Sequence, residues 1–288
     1  MLVNANAKIN LSLDIIGKRD DGFHDIDTVM QSIDLSDKIT ISKNKTGEIK
    51  LTCAKIMLPT DEKNIAYRAA KKILERGNIT DMGVDIHIIK EIPIQAGLGG
   101  GSADAAAVLK GINKLFDIGL DTDELIEIGA SIGADVPFCI VGGTKRCTGI
   151  GEVITDVKNL PNCKILICKP NIGVDTTKAY TIWDQYPQED GFSGDDMVES
   201  LESNDIETIS SSVQNYFDYV LNLGEVNLIK SIMKEKGALC ASMSGSGSAV
   251  FGVFEEDKDI ENLTKELNSF GFCKICHPTI HTNKISTH

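Results

Sequence analysis

The chain has 288 residues, 42% hydrophobic and 25% charged, the balance of a folded soluble protein with room for two cores. Its net charge of −13 argues against a broad basic face for nucleic acid or an anionic membrane, and no apolar run reaches the length of a membrane span. Eight cysteines scattered through apolar segments, and first residues without the basic and apolar parts of an export signal, lead us to expect a reduced, cytoplasmic protein. From the N-terminus, Ile9, Leu11, Leu13 and Ile15 alternate with Lys8, Asn10, Ser12 and Asp14. This predicts a strand with one apolar and one polar face, with Lys8 and Asn10 on the same side. A polar turn at Asp21-Gly22 follows, then strands over 28–35, 38–42 and 48–53. A helix is expected over 64–76, with Ile65, Ala66, Ala69, Ala70, Ile73 and Leu74 as its buried stripe and Gly77-Asn78 as its end. Residues 84–89 alternate as a strand, with His87 on its polar side.

The next segment is the most informative. Pro93, Ile94, Gln95, Ala96, Gly97, Leu98, Gly99, Gly100, Gly101, Ser102 and Ala103 run into an alanine-rich helix expected over 102–115. Glycine admits positive φ and close approach of another group, and a helix start offers unpaired N–H groups at the positive end of its dipole. The combination makes a cradle for an anion, most often phosphate. No lysine follows the glycines, so it is not a Walker-type loop. Ser102 takes the sixth place of a G-x-G-x-x-G begun at Gly97, so it is not the dinucleotide-binding fingerprint either.

Asp121 and Glu124 form a capping-box pattern opening a helix through Ile132. Gly133-Ala134-Asp135-Val136-Pro137 follows, and the apolar run 138–141 reads as a strand. Composition shifts near 156–161, dividing the chain into 1–157 and 158–288. Beyond it we expect a strand over 163–168, helices near 177–183, 195–202, 205–213 and 225–236, and a polar loop over 186–196. A strand over 249–254, a helix over 259–270 and a last strand over 272–277 complete the chain. Helices and strands mix without strict alternation, which indicates an α+β fold. Cys273-Lys274-Ile275-Cys276-His277 matches a haem-attachment pattern, and His281 adds a further metal-ligating side chain. The alternation through 272–277, with no second pair of ligands in view, favours a plain strand.

Transfer of a phosphoryl group to an alcohol needs a phosphate cradle, cations and a carboxylate near the attacking hydroxyl. The glycine segment, Lys8 and Asp135 supply these parts, and the small-residue loop 242–248 adds a second close-approach surface. Taken locally, each has a plainer reading. Asp135 ahead of Pro137 suits a helix cap, Lys8 a solvated strand residue, and the Ser/Gly loop a tight turn.

In chain order, Ala7-Lys8-Ile9-Asn10-Leu11, Gly17-Lys18-Arg19-Asp20-Asp21-Gly22-Phe23-His24, the loop Gly97–Ser102, Gly133-Ala134-Asp135-Val136-Pro137-Phe138 and Met243-Ser244-Gly245-Ser246-Gly247 are all present. Together they resemble the galactokinase, homoserine, mevalonate and phosphomevalonate (GHMP) kinase superfamily over almost the whole chain. The Lys8 strand and the Asp-Gly-Phe-His turn narrow the resemblance to its branch acting on 4-(cytidine 5′-diphospho)-2-C-methyl-D-erythritol. The resemblance implies a two-domain fold, with a ribosomal-protein-S5-domain-2-like N-terminal domain and a ferredoxin-like C-terminal domain. It implies ATP-dependent phosphorylation of the 2-hydroxyl of that acceptor, in the non-mevalonate route to isoprenoid precursors, with Mg²⁺ accompanying ATP. It assigns catalysis to Lys8 and Asp135, ATP phosphate binding to Pro93 through Ala103, the adenine neighbourhood to Asn64 and a metal contact to Ser102. Acceptor binding falls to Asn10, Phe23, His24 and Thr176, with His24 at the cytosine. No protein partner is implied. Phe23 stands where many members carry tyrosine, Asp175-Thr176-Thr177 where valine-serine-threonine is frequent, and Asn6 where proline is common. A homoserine- or mevalonate-type kinase and a non-catalytic nucleotide sensor are the alternatives, and the Phe23-His24 turn and the retention of both Lys8 and Asp135 weigh against them respectively.

Overall fold

The computed structural model describes residues 1–54, 58–186, 194–280 and 283–286. Its first half contains β1 (Leu2–Lys18), β2 (His24–Asn44), β3 (Ile49–Ala54), α1 (Ile65–Arg76), β4 (Gly83–Ile89), α2 (Gly100–Phe116), α3 (Thr122–Ala130), α4 (Val136–Val141), β5 (Thr144–Thr148) and β6 (Val153–Asp156). The second half contains β7 (Lys164–Pro170), α5 (Thr176–Trp183), α6 (Gly194–Ser203), α7 (Ile206–Ser211), β8 (Gln214–Asn215), α8 (Tyr216–Leu221) and α9 (Gly224–Glu235). It ends with β9 (Cys240–Met243), β10 (Val250–Phe254), α10 (Glu261–Leu267), β11 (Gly271–Cys276) and β12 (Ile285–Ser286). One sheet runs β12-β1-β2-β4-β3, with β5 on β2, β6 on β5 and β8 on β1. The other is antiparallel, in the order β11-β7-β10-β9.

β1 and β2 form a long antiparallel ribbon from Leu2↔Thr40 to Lys18↔His24, with register shifts between Asn6 and Lys8, Asn10 and Ser12, and Ile15 and Gly17. The strands expected over 28–35 and 38–42 are thus one strand. The polar residues between them do not turn the chain, because Asp37 is buried and its carboxylate accepts the N–H groups of Glu91 and Ile92. The apolar and polar faces expected on β1 are present, but the local reading of Lys8 as a solvated strand residue fails. Lys8, Asn10, Ser12 and Asp14 are all buried. The second half of the chain folds back over them, with β8 pairing at Ser12 and Leu13.

α2 lies on the first sheet through small side chains. Ala103, Ala105, Ala106 and Ala107 are buried, and a Cβ at Gly111 would stand 2.5 Å from Ile41 Cδ1. The helix starts at Gly100, two residues before the expected Ser102, and the Gly99 carbonyl accepts the Ala103 N–H at 2.8 Å. The run 138–141 is not a strand but part of α4. Its side chains are apolar on every side and carry no period, while Pro137 in the first turn suits a helix. The short β5, β6, β8 and α8 carry too little pattern to be read in advance.

Asp121 and Glu124 form the expected capping box on α3. His87 is exposed on β4 and meets Thr52 Oγ1 at 2.8 Å. Cys273 and Cys276 lie in β11 as plain strand residues, and among the described residues no cluster of three His, Cys, Asp or Glu side chains forms a metal cage. His281 lies outside the described residues, as do 187–193 of the expected polar loop. Among the described residues no helix is long and apolar enough to cross a membrane.

Candidate active site

Lys8, Asn10, Phe23, His24, Asn64, the loop from Pro93 to Ser102, Asp135 and Thr176 all border one cavity of about 850 Å³. Ala103, in contrast, is buried in α2 and does not line it.

Lys8 stands at the centre. Its ammonium lies 3.5 Å from Asp135 Oδ2 and donates to Asn10 Oδ1 at 2.7 Å. Asn10 Nδ2 donates to Thr28 Oγ1 at 2.8 Å, and Thr28 Oγ1 donates to the Ser12 carbonyl at 2.6 Å. This relay fixes which way the Asn10 amide points, and so where the lysine is held. Asp135 occupies the N-cap position of α4, but its side chain makes no capping hydrogen bond. It faces Lys8 instead, with 31% of the side chain open. The helix-cap expectation is therefore right in position and wrong in use.

The glycine loop wraps the lysine. Gly97 has φ 73° and Gly99 φ 67°, both left-handed. A Cβ on Gly97 would stand 1.9 Å from the Ser244 carbonyl oxygen, and one on Gly99 2.9 Å from Lys8 Cγ. Gly100 and Gly101 differ, being helical, so positive φ does not account for the glycine at either. Gly100 is small because a Cβ would lie 3.0 Å from Ile92 Cγ2 and 3.4 Å from Lys90 Nζ. The loop is tied down on both sides. The Lys8 N–H donates to the Leu98 carbonyl at 3.0 Å, the Ala249 N–H to the Ala96 carbonyl at 3.0 Å, and the Ser244 hydroxyl to the Gly97 carbonyl at 2.9 Å. Gly100, Gly101 and Ser102, the first residues of α2, line the cavity, and N–H groups at a helix start lack intrahelical acceptors.

Beneath the loop lies a buried trio with little signature in the sequence. Lys90 Nζ bonds Asp37 and, at 2.7 Å, Asp104 Oδ2, with all three side chains shut off from water. Among the described residues, the buried Asp104 Oδ1 has no hydrogen-bond partner. Two carboxylates share one ammonium. Burial pushes Asp104 up to about 8, Asp37 adds to the rise, and Lys90 opposes it without cancelling it. Burial acts to lower Lys90, but the two carboxylates outweigh it and hold its ammonium above the ordinary lysine value. The folded pKa of Asp104 exceeds its unfolded value, so the native state binds the extra proton. That stabilisation is complete at acid pH and is lost as the pH rises through about 8. Asp104→Asn removes this titration. Thermal melts should show the wild type losing more Tm between about pH 6 and about pH 9 than the variant. Equal losses would place the proton elsewhere.

At the opposite end, Phe23 is 59% exposed and His24 is buried. His24 Nε2 lies 2.7 Å from Asp184 Oδ1. Its ring stacks on Tyr180 at 4.5 Å and meets Trp183 edge-on at 5.2 Å. Lys18 also bonds Asp184, and Lys18 and then His24 hold that carboxyl below the usual carboxylate range. Burial raises the Tyr180 phenol to about 12. Thr176 Oγ1 lies 2.9 Å from Ser246 Oγ, joining α5 to the second glycine loop. Asp175 caps α5 by accepting the Lys178 N–H at 3.0 Å, which accounts for its acidic side chain. Asn64 caps α1 by accepting the Ala66 N–H at 2.9 Å, so a structural duty accompanies its place on the cavity wall.

Two family profiles match the chain. The one described as GHMP kinases N terminal domain covers residues 64–143, and GHMP kinases C terminal covers 197–272. The 4-diphosphocytidyl-2-C-methyl-D-erythritol kinase of Caldicellulosiruptor saccharolyticus is 46% identical over 272 residues, 94% of this chain and 93% of that protein. That of Clostridium botulinum (strain Alaska E43 / Type E3) is also 46% identical, over 89% of this chain and 91% of its own. A crystal structure of 4-(cytidine 5′-diphospho)-2C-methyl-D-erythritol kinase superposes with TM-score 0.78 at 28% identity, covering 96% of this chain and 99% of that one. Homoserine kinase from Cytophaga hutchinsonii, at 20% identity and TM-score 0.76 over 98% of this chain and 95% of its own, shares the fold.

Proposed function

This chain belongs to the GHMP kinases, within the 4-diphosphocytidyl-2-C-methyl-D-erythritol kinase family, and on that premise we propose that Lys8 and Asp135 move a phosphoryl group from ATP to the 2-hydroxyl of 4-(cytidine 5′-diphospho)-2-C-methyl-D-erythritol. The product serves the non-mevalonate route to isoprenoid precursors. The observation that carries this reading is the Lys8–Asp135 pair, 3.5 Å apart, between the glycine loop and the His24 end of one cavity. Asp135 accepts the proton of the attacking hydroxyl, and Lys8 stabilises both the carboxylate and the negative charge growing on the transferred group. The loop from Pro93 to Ser102 cradles the ATP phosphates through its main chain. The oxygen donors at the cavity, the Ser102 hydroxyl and the Asp135 carboxylate, suit Mg²⁺, which binds few protein ligands and takes the rest from phosphates and water. That ion would neutralise phosphate charge. Asn10 and Thr176 border the acceptor side, with Phe23 and His24 at its base. We place the division between the lobes at residues 157 and 158, in the segment joining β6 to β7. Two anionic substrates and the buried thiols of Cys139, Cys147 and Cys163 suit a cytoplasmic setting.

ATP consumption measured with the cytidine-linked acceptor, homoserine and mevalonate in parallel tests the reading. Turnover should occur with the first alone. Turnover with either of the others would reassign the acceptor, and ATP binding without any turnover would make the chain a sensor. The exposed Phe23 provides a sharper check. A flat apolar ring stacks on a base at roughly 1–3 kcal/mol in nucleic-acid grooves. Phe23→Ala should therefore raise KM for the cytidine substrate roughly ten- to hundredfold and leave KM for ATP unchanged. Phe23→Tyr should match the wild type or improve on it. A rise in KM for ATP alone would put Phe23 at the donor nucleotide.

A further inference from the structure

The contact between Asp184 and His24 has a consequence for which base the acceptor site takes. Asp184 is held ionised beside Lys18, and a carboxylate can only accept hydrogen bonds. Its partner at 2.7 Å is His24 Nε2, so that nitrogen must carry hydrogen. The imidazole cannot readily turn over. Tyr180 covers one face at 4.5 Å, Trp183 abuts it at 5.2 Å, and only 6% of the side chain is open. A flip would also set a ring carbon against the carboxylate. In the neutral ring the remaining nitrogen, Nδ1, then keeps its lone pair.

From this we infer that Asp184 is a specificity-determining positioning residue: by holding the Nε2–H of His24 it leaves an acceptor for an amino-bearing pyrimidine and disfavours one carrying a carbonyl in the same place. Cytosine presents an amino donor where uracil presents an oxygen. The inference rests on the proposed cytidine acceptor and adds to it the group that enforces the choice. Asp184 touches no substrate in this scheme. It acts through the tautomer of His24.

The test compares wild type with Asp184→Asn, Asp184→Ala and Asp184→Glu, using acceptors that carry cytidine or uridine. Wild type and Asp184→Glu should favour cytidine. In the Asn and Ala variants the ratio of kcat/KM for cytidine over uridine should fall about tenfold or more, with KM for ATP unchanged. A rise in KM with no change of that ratio would make Asp184 merely structural and overturn the inference. Independently, ¹⁵N spectra of histidine-labelled protein should show His24 as the Nε2–H tautomer in wild type and a mixture in Asp184→Ala. Finding the Nδ1–H tautomer in wild type would overturn the inference whatever the activity. Should the cytidine-linked acceptor not turn over at all, the proposed function fails. Titrations with CMP and UMP on the same spectra then read the base preference alone: preference for CMP that weakens in Asp184→Ala supports the inference, and none overturns it.

Discussion

On the proposed role of Asp135 as general base, replacing it by asparagine should lower kcat ~10²–10⁴-fold while ATP binding persists. The change is nearly isosteric and costs α4 no cap, because the Asp135 side chain makes no capping bond. Its effect is therefore chemical. The amide cannot take the hydroxyl proton, and the Lys8 ammonium loses the negative partner that stands 3.5 Å away. Steady-state kinetics with both substrates, alongside nucleotide titration, check this. A variant keeping more than half of wild-type kcat would return Asp135 to a purely structural place at the head of α4.

The second large effect falls on Gly99. Gly99→Val puts a β-branched residue at φ 67°, and its Cβ lands 2.9 Å from Lys8 Cγ and 3.2 Å from Lys8 Cε. Phosphate approach and lysine position are disturbed together. We expect kcat/KM for ATP to drop by about 10² or more, the scale of losing one preorganised group that stabilises transition-state charge. Circular dichroism should show the fold retained. Gly100→Val is the informative companion. It sits on helical backbone and first meets Ile92 and Lys90, not Lys8. Its effect should lie mainly in nucleotide affinity, with kcat nearly preserved. Unchanged affinity in both variants would make the segment a turn with no ligand.

What could be read in advance depended on whether a residue's role is local. The glycine run and Asp121 with Glu124 carry their reasons within a few positions, and both are found where expected. The resemblance brought Lys8 and Asp135 together although they are 127 positions apart (135 − 8), and the structure places them in contact. Asp37, Lys90 and Asp104 were invisible because each looks like an ordinary polar residue until the sheet and α2 shut it away from water. Asp104, a lone charge inside an alanine helix face, was the one available sign. Asp184 and Tyr180 lie on and just beyond a short helix whose pattern says nothing of His24. Uniform apolarity over 138–141 has no period and so does not reveal a helix, and alternation along β1 shows which residues share a face but not what covers it.

The glycine loop borrows its shape from the far end of the chain. Gly97 is clasped by Ser244, 147 residues later, and Ala96 by Ala249, while β12 closes on β1 at Leu2↔Ser286. Contacts so distant in sequence form late, since the intervening chain must first be brought round. As the polypeptide leaves the ribosome, the glycines therefore emerge long before anything can set their geometry. On the proposed role of the loop, the growing N-terminal part should have no finished cradle to offer a nucleotide until those later contacts form.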